Sequence, residues 1–166
     1  KSPASQTLNE GADCKIIGLT LETRPDTIDA YELRRLRHYG CTRVQLGVQH
    51  TDDTVLTKIN RGCTTADIIR ALRLLKDACY KVDVHLMPNL PGASVEKDTI
   101  MFERMLYEGA LQADQWKIYP CEIVPWTVIK KWYGAGTLTS LPRGAIPASP
   151  SLNATWQVRC RHVYTV

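Results

Sequence analysis

The chain has 166 residues, 44% of them hydrophobic, and a formal net charge of +4 at pH 7. A domain usually contains about 100 to 200 residues, so we expect one domain or a piece of a larger one. No apolar run approaches the roughly 18 residues of a membrane-spanning helix, and no segment resembles a signal peptide. These features exclude a membrane span and a secretory leader within the sequence, and they predict a soluble intracellular protein. Because the chain begins at Lys1 and soon enters an apolar run, we expect its natural start to lie upstream.

The positive charge is concentrated in the tail. After Glu122 there is no acidic residue, whereas the first 122 residues carry 16 basic and 17 acidic side chains. The body therefore has a net charge of −1, and the overall basicity says little about what it binds.

Six cysteines are scattered along the chain, and the closest two, Cys63 and Cys79, are 16 positions apart. No Cys-x-x-Cys pair is present, and no cysteine and histidine have the spacing of a usual zinc site. We therefore expect reduced, mostly buried cysteines.

The first predicted elements follow a polar segment. Residues 1–13 show no helical or strand period, which predicts a flexible lead-in. The β-branched and apolar run from Lys15 to Leu21 predicts a buried parallel strand, which Pro25 ends and which leaves Glu22 as a polar group at its end. Asp26 or Thr27 is predicted to cap a helix that extends to about His38.

The second strand is predicted over Arg43–Val48, where apolar residues alternate with polar or small ones. Gln49 lies where this strand ends. A short helix is predicted from Asp52 to Ile59, closed by Gly62. The next helix begins at Thr64 or Thr65 and ends near Cys79.

The third strand, Lys81–Leu86, places His85 and Asp83 on the face opposite its apolar residues. Ser94 is a predicted cap for a helix through Glu108. A fourth strand at Gln115–Tyr119 and a short helix at Trp126–Tyr133 complete the pattern. Residues 137–166 have no convincing period and predict an irregular, disordered or ill-packed tail.

Strands and helices therefore alternate four times, with polar groups at the four strand ends. These groups are separated by 27, 36 and 34 positions, which suits βαβ units: Glu22, Gln49, His85 and Tyr119. Such alternation predicts a parallel sheet whose strand ends meet at one rim. A closed (β/α) barrel needs about 250 residues, so this chain supplies part of one.

Glu22, Gln49 and Arg61 form a set that suits a polar ligand. A carboxylate accepts hydrogen bonds from both hydroxyls of a ribose, an amide donates and accepts, and a guanidinium binds a carboxylate with two hydrogen bonds. S-adenosylmethionine carries such groups, and many nucleotides do too. The residue chemistry leaves both ligand classes open.

Six short motifs occur in order between residues 14 and 136: GLTLETRPD (18–26), YGCTR (39–43), LGVQ (46–49), NRG (60–62), HLMPNLP (85–91) and WKIYP (116–120). Together they resemble the radical-SAM domain of the catalytic subunit of Elongator. The resemblance implies a partial, TIM-like (β/α) barrel that is incomplete on its N-terminal side, covers residues 14–136 and uses S-adenosylmethionine and a 4Fe-4S cluster.

The resemblance also implies modification of the wobble uridine of tRNA. In that family the reduced cluster cleaves S-adenosylmethionine to a deoxyadenosyl radical. The radical abstracts hydrogen from the methyl group of acetyl-CoA, so that a carboxymethyl group is built at C5 of the uridine. The implied partners are tRNA and other Elongator subunits, without a membrane, and the implied location is the cytoplasm and also the nucleus.

By similarity to radical-SAM barrels, Glu22, Gln49 and Arg61 match positions that contact S-adenosylmethionine. His85 occupies a further strand-end position of this kind, with a hydrogen-bonded core histidine as the alternative. Lys117 and Tyr119 are candidates to face the substrate, although Lys117 also fits a structural salt bridge. Asp83 is interpreted as structural, and no catalytic residue is assigned.

The chain departs from the family in two places. The family holds its cluster with a Cys-x-x-x-Cys-x-x-Cys loop, to which none of the six cysteines can be assigned, and the tail from Thr137 does not resemble the acetyltransferase domain that follows the barrel. We therefore expect this chain alone to be inactive. The alternatives are a non-catalytic fragment that binds tRNA or other subunits, or another radical-SAM enzyme such as a porphyrin-pathway oxidase or a methylthiotransferase.

Overall fold

A parallel β-sheet forms the centre of the molecule. The structure is a computed structural model that describes residues 3–123, 125–136 and 163–165. Its five strands are hydrogen-bonded in chain order: β1 (Thr20–Thr23), β2 (Arg43–Gln49), β3 (Lys81–Leu86), β4 (Gln115–Ile118) and β5 (Val163–Thr165). All four neighbouring pairs are parallel, which confirms the predicted α/β class.

Helices alternate with the strands. They are α1 (Pro3–Glu10), α2 (Ala30–His38), α3 (Asp53–Lys58), α4 (Thr65–Asp77), α5 (Val95–Tyr107) and α6 (Val128–Gly134), with short 3-10 turns at Pro25–Thr27 and Gly109–Leu111. Within the described ranges, no helix is long and apolar enough to cross a bilayer.

One face of the sheet is apolar and packs against helices. Val44 pairs with Val82, and Leu46 pairs with Val84, so these side chains form rows across neighbouring strands. Buried side chains of α4 and α5 belong to the same core cluster: Ile68, Leu72, Leu75, Met101, Phe102 and Met105. Burial of each such side chain contributes about 1.5 to 3 kcal/mol.

The opposite face of the sheet is polar. Arg43 Nη1 lies 2.6 Å from Asp83 Oδ1 and donates a hydrogen bond to Gln115 Oε1 at 3.0 Å. Asp83 is buried, so this ion pair gives it the structural role predicted from the sequence.

The lead-in was predicted to lack regular structure, and this prediction is wrong for α1. Gln6 Nε2 donates to the His38 carbonyl at 2.7 Å, and Asn9 exchanges two hydrogen bonds with the backbone of Ile16. These hydrogen bonds join the helix to residues outside it. The hydrophobic periodicity within residues 1–13 therefore could not predict them.

The first strand begins at Thr20 rather than Lys15. The backbone of Ile16 is hydrogen-bonded to the Asn9 side chain, and pairing with β2 starts only where Thr20 meets Arg43. Ile17 is consequently 95% exposed instead of buried.

The cap of α2 is Asp29, whose side chain accepts from Glu32 N at 2.7 Å. The predicted caps are engaged elsewhere, because Asp26 is paired with Arg24 and Thr27 lies in the 3-10 turn.

The remaining predicted elements lie within one or two residues of the observed ones. Thr64 caps α4 with a capping box, and Ser94 caps α5. Two differences concern the end of the chain: α6 begins at Val128 rather than Trp126, with Thr127 as its cap, and β5 lies in the tail that showed no period. β5 pairs with the edge of β4. This is a long-range contact, which the hydrophobic periodicity of the tail could not predict. The rest of the predicted tail, residues 137–162 and 166, lies outside the described residues.

Candidate functional site

Three of the predicted strand-end groups meet at the carboxyl rim of the polar face. His85 Nδ1 lies 3.4 Å from Glu22 Oε1. The His85 and Tyr119 rings are in edge contact, with centroids 5.6 Å apart and planes at 63°. The expected convergence is therefore confirmed for Glu22 in β1, His85 in β3 and Tyr119 directly after β4.

Gln49 and Arg61 form a second group beside Gly47. Arg61 Nη2 donates to the Gly47 carbonyl at 2.5 Å. A Cβ atom on Gly47 would collide with the Arg61 guanidinium and come within 3.2 Å of Gln49 Nε2. Glycine at position 47 therefore allows the guanidinium and the amide to approach the same stretch of backbone.

The turn after α3 places Arg61. Asn60 and Gly62 on either side of it have φ values of 52° and 74°, in the left-handed region. Arg24 Nη2 donates to the Arg61 carbonyl at 3.0 Å, while the Arg24 guanidinium also pairs with both carboxylate oxygens of Asp26 at 2.9 Å. Arg24 thus ties the loop after β1 to the loop that carries Arg61.

Gln49 itself has a strained backbone. Its φ is 68°, and His50 N donates to Val48 O at 2.9 Å, so Gln49 is the central residue of a γ-turn with positive φ. This type of turn is rare and strained. A second hydrogen bond, from Met87 N to Gln49 O at 2.8 Å, joins this turn to the end of β3.

In the described part of the chain, two buried side-chain nitrogens have no hydrogen-bond partner: Arg61 Nε and His85 Nε2. A buried polar group without a partner costs about 1 to 3 kcal/mol. Both atoms belong to residues predicted to contact a ligand, and native structures rarely leave such groups unsatisfied. The two nitrogens are therefore unsatisfied polar groups of the rim that lie beneath the molecular surface.

Burial lowers the pKa of His85, and the nearby positive charge of Lys117 lowers it further, although Glu22 acts in the opposite direction. His85 is therefore neutral at pH 7. Glu22 beside Nδ1 favours the tautomer that carries its hydrogen there, which leaves Nε2 as an acceptor. The alternative of a hydrogen-bonded core histidine is met only at Nδ1, beside Glu22, because Nε2 has no partner among the described residues.

Lys117 lies opposite His85 in the register of β3 and β4. It forms no salt bridge with any residue that the structure describes. Its predicted alternative role, a structural ion pair, therefore has no described partner. Lys117 lies in β4, and Tyr119 follows directly after the end of that strand.

A groove of about 600 Å³ adjoins Gln49 and Arg61. Its apolar lining includes Ile59, Met87 and Leu90, and α6 supplies Trp132 on the far side. Arg24 and Lys58 add two further cations. The volume is in the range of small-molecule sites, which are mostly apolar with a few placed polar groups.

Sequence reasoning missed Arg24, Lys58 and the contribution of α6 to this groove. Arg24 had a usable signal, because it lies in the loop that directly follows a parallel strand, where ligands bind in α/β proteins. Lys58 and Trp132 had none, since their helices reach the groove only through tertiary packing.

The sequence profile of the Radical SAM superfamily matches residues 5–102, more than half of the chain. The chain belongs to the radical SAM superfamily. This superfamily implies S-adenosylmethionine and a 4Fe-4S cluster as cofactors, and its members are enzymes.

The sequence of this radical SAM chain is similar to those of curated proteins named for tRNA uridine acetylation or for Elongator. A tRNA uridine(34) acetyltransferase of Dehalococcoides mccartyi is 37% identical over 86% of this chain and 31% of its own length. Elongator complex protein 3 of Dictyostelium discoideum is 35% identical over 78% of this chain and 23% of its own length. The resemblance found in the sequence is confirmed, and the chain spans about a quarter to a third of these relatives.

Solved structures agree with the barrel-type fold. Elp3 of Methanocaldococcus infernus, with an N-terminal deletion, superposes with a TM-score of 0.87 at 32% identity, over 98% of this chain and 38% of that one. Coproporphyrinogen III oxidase of Escherichia coli gives a TM-score of 0.66 at 18% identity, over 84% of this chain and 32% of that one. The second likeness concerns the fold alone.

The rim residues fit one of the two implied cofactors. Carboxylate, amide, guanidinium and imidazole groups at the strand ends match the polar groups of S-adenosylmethionine, and two of them have unpartnered nitrogens. Among the described residues, no three His, Cys, Asp or Glu side chains are grouped to hold a metal ion. We therefore assign no cluster ligand to these residues.

Proposed function

We propose that this chain supplies part of the S-adenosylmethionine site of an Elongator-type radical SAM enzyme that modifies the wobble uridine of tRNA. The observation that carries the proposal is the pair of unpartnered buried nitrogens, Arg61 Nε and His85 Nε2, on the rim that also holds Gln49 and Glu22. The relatives named for tRNA uridine(34) acetylation support the choice of enzyme.

Each rim residue has a distinct task in this proposal. Arg61 binds the carboxylate of S-adenosylmethionine, since a guanidinium pairs well with that group. Glu22 accepts hydrogen bonds from ribose hydroxyls, and His85 accepts another through Nε2. Gln49 both donates and accepts, so it fixes the orientation of the ligand.

When bound, S-adenosylmethionine supplies the radical chemistry of the family together with the cluster. The residues of this chain bind the ligand, orient it and limit access of water. The apolar part of the groove, with Met87 and Leu90, serves the last of these tasks. Lys117 and Tyr119 face the substrate side, where tRNA and acetyl-CoA are the proposed substrates.

The proposed partners are tRNA and other Elongator subunits, and the proposed location is the cytoplasm and the nucleus. The whole reaction also requires cluster ligands and an acetyltransferase domain, neither of which is assigned to a described residue. We accordingly propose that this chain alone does not turn over.

Calorimetric titration of the purified chain with S-adenosylmethionine tests the proposal. Gln49→Ala is expected to weaken binding about tenfold, equivalent to about 1.4 kcal/mol, because the amide donates and accepts at the ligand. Gln45→Ala is the matched control, since Gln45 is on the same strand four residues before the rim. It should bind as the unmodified chain does.

Equal binding by both variants would contradict the proposed site. A different result would favour the binding-fragment alternative: salt-dependent tRNA binding that neither Gln49→Ala nor Glu22→Ala changes. The same preparations, titrated with tRNA at several salt concentrations, distinguish the two functions.

A further inference from the structure

His50 and Asp98 form a buried polar pair directly behind the rim. The His50 side chain is fully buried and that of Asp98 is 5% exposed. His50 Nε2 lies 3.2 Å from Asp98 Oδ1, and His50 Nδ1 accepts from Asp52 N at 2.9 Å. Sequence reasoning assigned no role to either residue.

The hydrogen-bond pattern determines the tautomer of His50. Because Nδ1 accepts a backbone N–H, the ring hydrogen is on Nε2 and is donated to Asp98. The imidazole is thus held at both nitrogens. It cannot turn or shift without breaking a buried hydrogen bond at each side of the ring.

Asp98 also holds the turn after β3. Its second oxygen, Oδ2, accepts from Asn89 N at 2.9 Å, and Asn89 has a φ of 65°. One carboxylate on α5 therefore anchors two turns that contain a residue with positive φ, one through His50 and one directly. These are the turns that bring Gln49 and Leu90 to the groove.

We propose that the His50–Asp98 pair is a positioning pair that holds Gln49 in its strained conformation at the rim. A residue in a strained γ-turn keeps that conformation only when its surroundings over-determine it. His50 is the next residue in the chain, and its N–H closes the turn. The link between this conformation and the binding of S-adenosylmethionine rests on the proposed function.

Four variants test the proposal by affinity for S-adenosylmethionine. Asp98→Asn replaces one of the two accepting carboxylate oxygens with an NH2 group, which can only donate. His50→Asn keeps an acceptor near Nδ1 but loses the donor to Asp98, whereas His50→Gln keeps a donor near Nε2. Asp83→Asn is the matched control, because Asp83 is another buried, paired carboxylate but lies at the opposite end of the polar face.

We expect Asp98→Asn and His50→Asn to weaken binding about tenfold, His50→Gln to restore part of it, and Asp83→Asn to leave it unchanged. In a Gln49→Ala background, Asp98→Asn should weaken binding less than about twofold, since coupled residues are not additive. A purely structural role would lower affinity equally in both backgrounds.

Amide hydrogen exchange provides a readout that needs no ligand. In Asp98→Asn the amides of Met87 and Asn89 should exchange faster, while that of Val84, inside β3, should not. Local loss of protection supports the positioning role, and unchanged protection overturns it.

The outcomes separate the two proposals. If the unmodified chain binds and Gln49→Ala weakens binding, but Asp98→Asn and His50→Asn bind normally, the positioning role is overturned and the proposed function stands. If the unmodified chain does not bind S-adenosylmethionine, the proposed function fails, and hydrogen exchange alone decides whether the pair holds the turn.

Discussion

The two ends of the polar face use similar residues in opposite ways. At the amino end of the strands, Arg43 is paired with Asp83 and donates to Gln115. At the carboxyl rim, Arg61 and His85 each retain a buried nitrogen without a partner. Arg43 in its closed network stabilises the sheet, whereas the unsatisfied donor of Arg61 supports the proposed ligand contact. Hydrogen-bond satisfaction thus distinguishes the two ends of this surface.

The largest effect on stability is expected at the closed end. Asp83→Ala should lower the free energy of unfolding by about 1.5 kcal/mol, since it removes a charge-assisted hydrogen bond, while the Arg43 side chain is 36% exposed and keeps its bond to Gln115. Urea unfolding followed by circular dichroism measures the change. Replacing both residues, Arg43→Met with Asp83→Leu, should recover most of the loss, and a double variant as unstable as Asp83→Ala would contradict the explanation.

At the open rim, His85→Phe should separate stability from binding. Removing the unsatisfied Nε2 is expected to leave the chain as stable as before, or up to about 1 kcal/mol more stable. The affinity for S-adenosylmethionine should fall at the same time, because the acceptor is gone. Thermal unfolding and calorimetric titration of one preparation test both parts, and a destabilised variant with normal affinity would identify His85 as a core residue.

The smallest effect is the pH dependence contributed by His85. Its pKa is lowered in the folded chain, so below the ordinary value of about 6.5 the unfolded chain binds a proton that the folded chain does not. The contribution to stability is complete above that pH and is lost as pH falls through the folded pKa, with a slope of at most about 1.4 kcal/mol per pH unit. His85→Phe should reduce the slope between pH 7 and 5. An unchanged slope would mean that other groups cause it.

Local patterns were sufficient for much of the fold. Alternation over Arg43–Val48 and Lys81–Leu86 predicted β2 and β3, and the capping residues Thr64 and Ser94 predicted two helix starts. The start of β1 was misplaced because a strand needs a neighbour, and β1 has one only from Thr20 onward.

The sequence by itself determined the parallel α/β class, the family resemblance and the rim candidates Glu22, Gln49, Arg61 and His85, because strand-end chemistry and motif order are local properties. The tertiary structure decided which polar groups are satisfied. It paired Asp83 with Arg43, left His85 Nε2 open and buried His50 against Asp98, 48 residues away. Hydrogen-bond partners that far apart are fixed by packing of helices on the sheet, which no local pattern encodes.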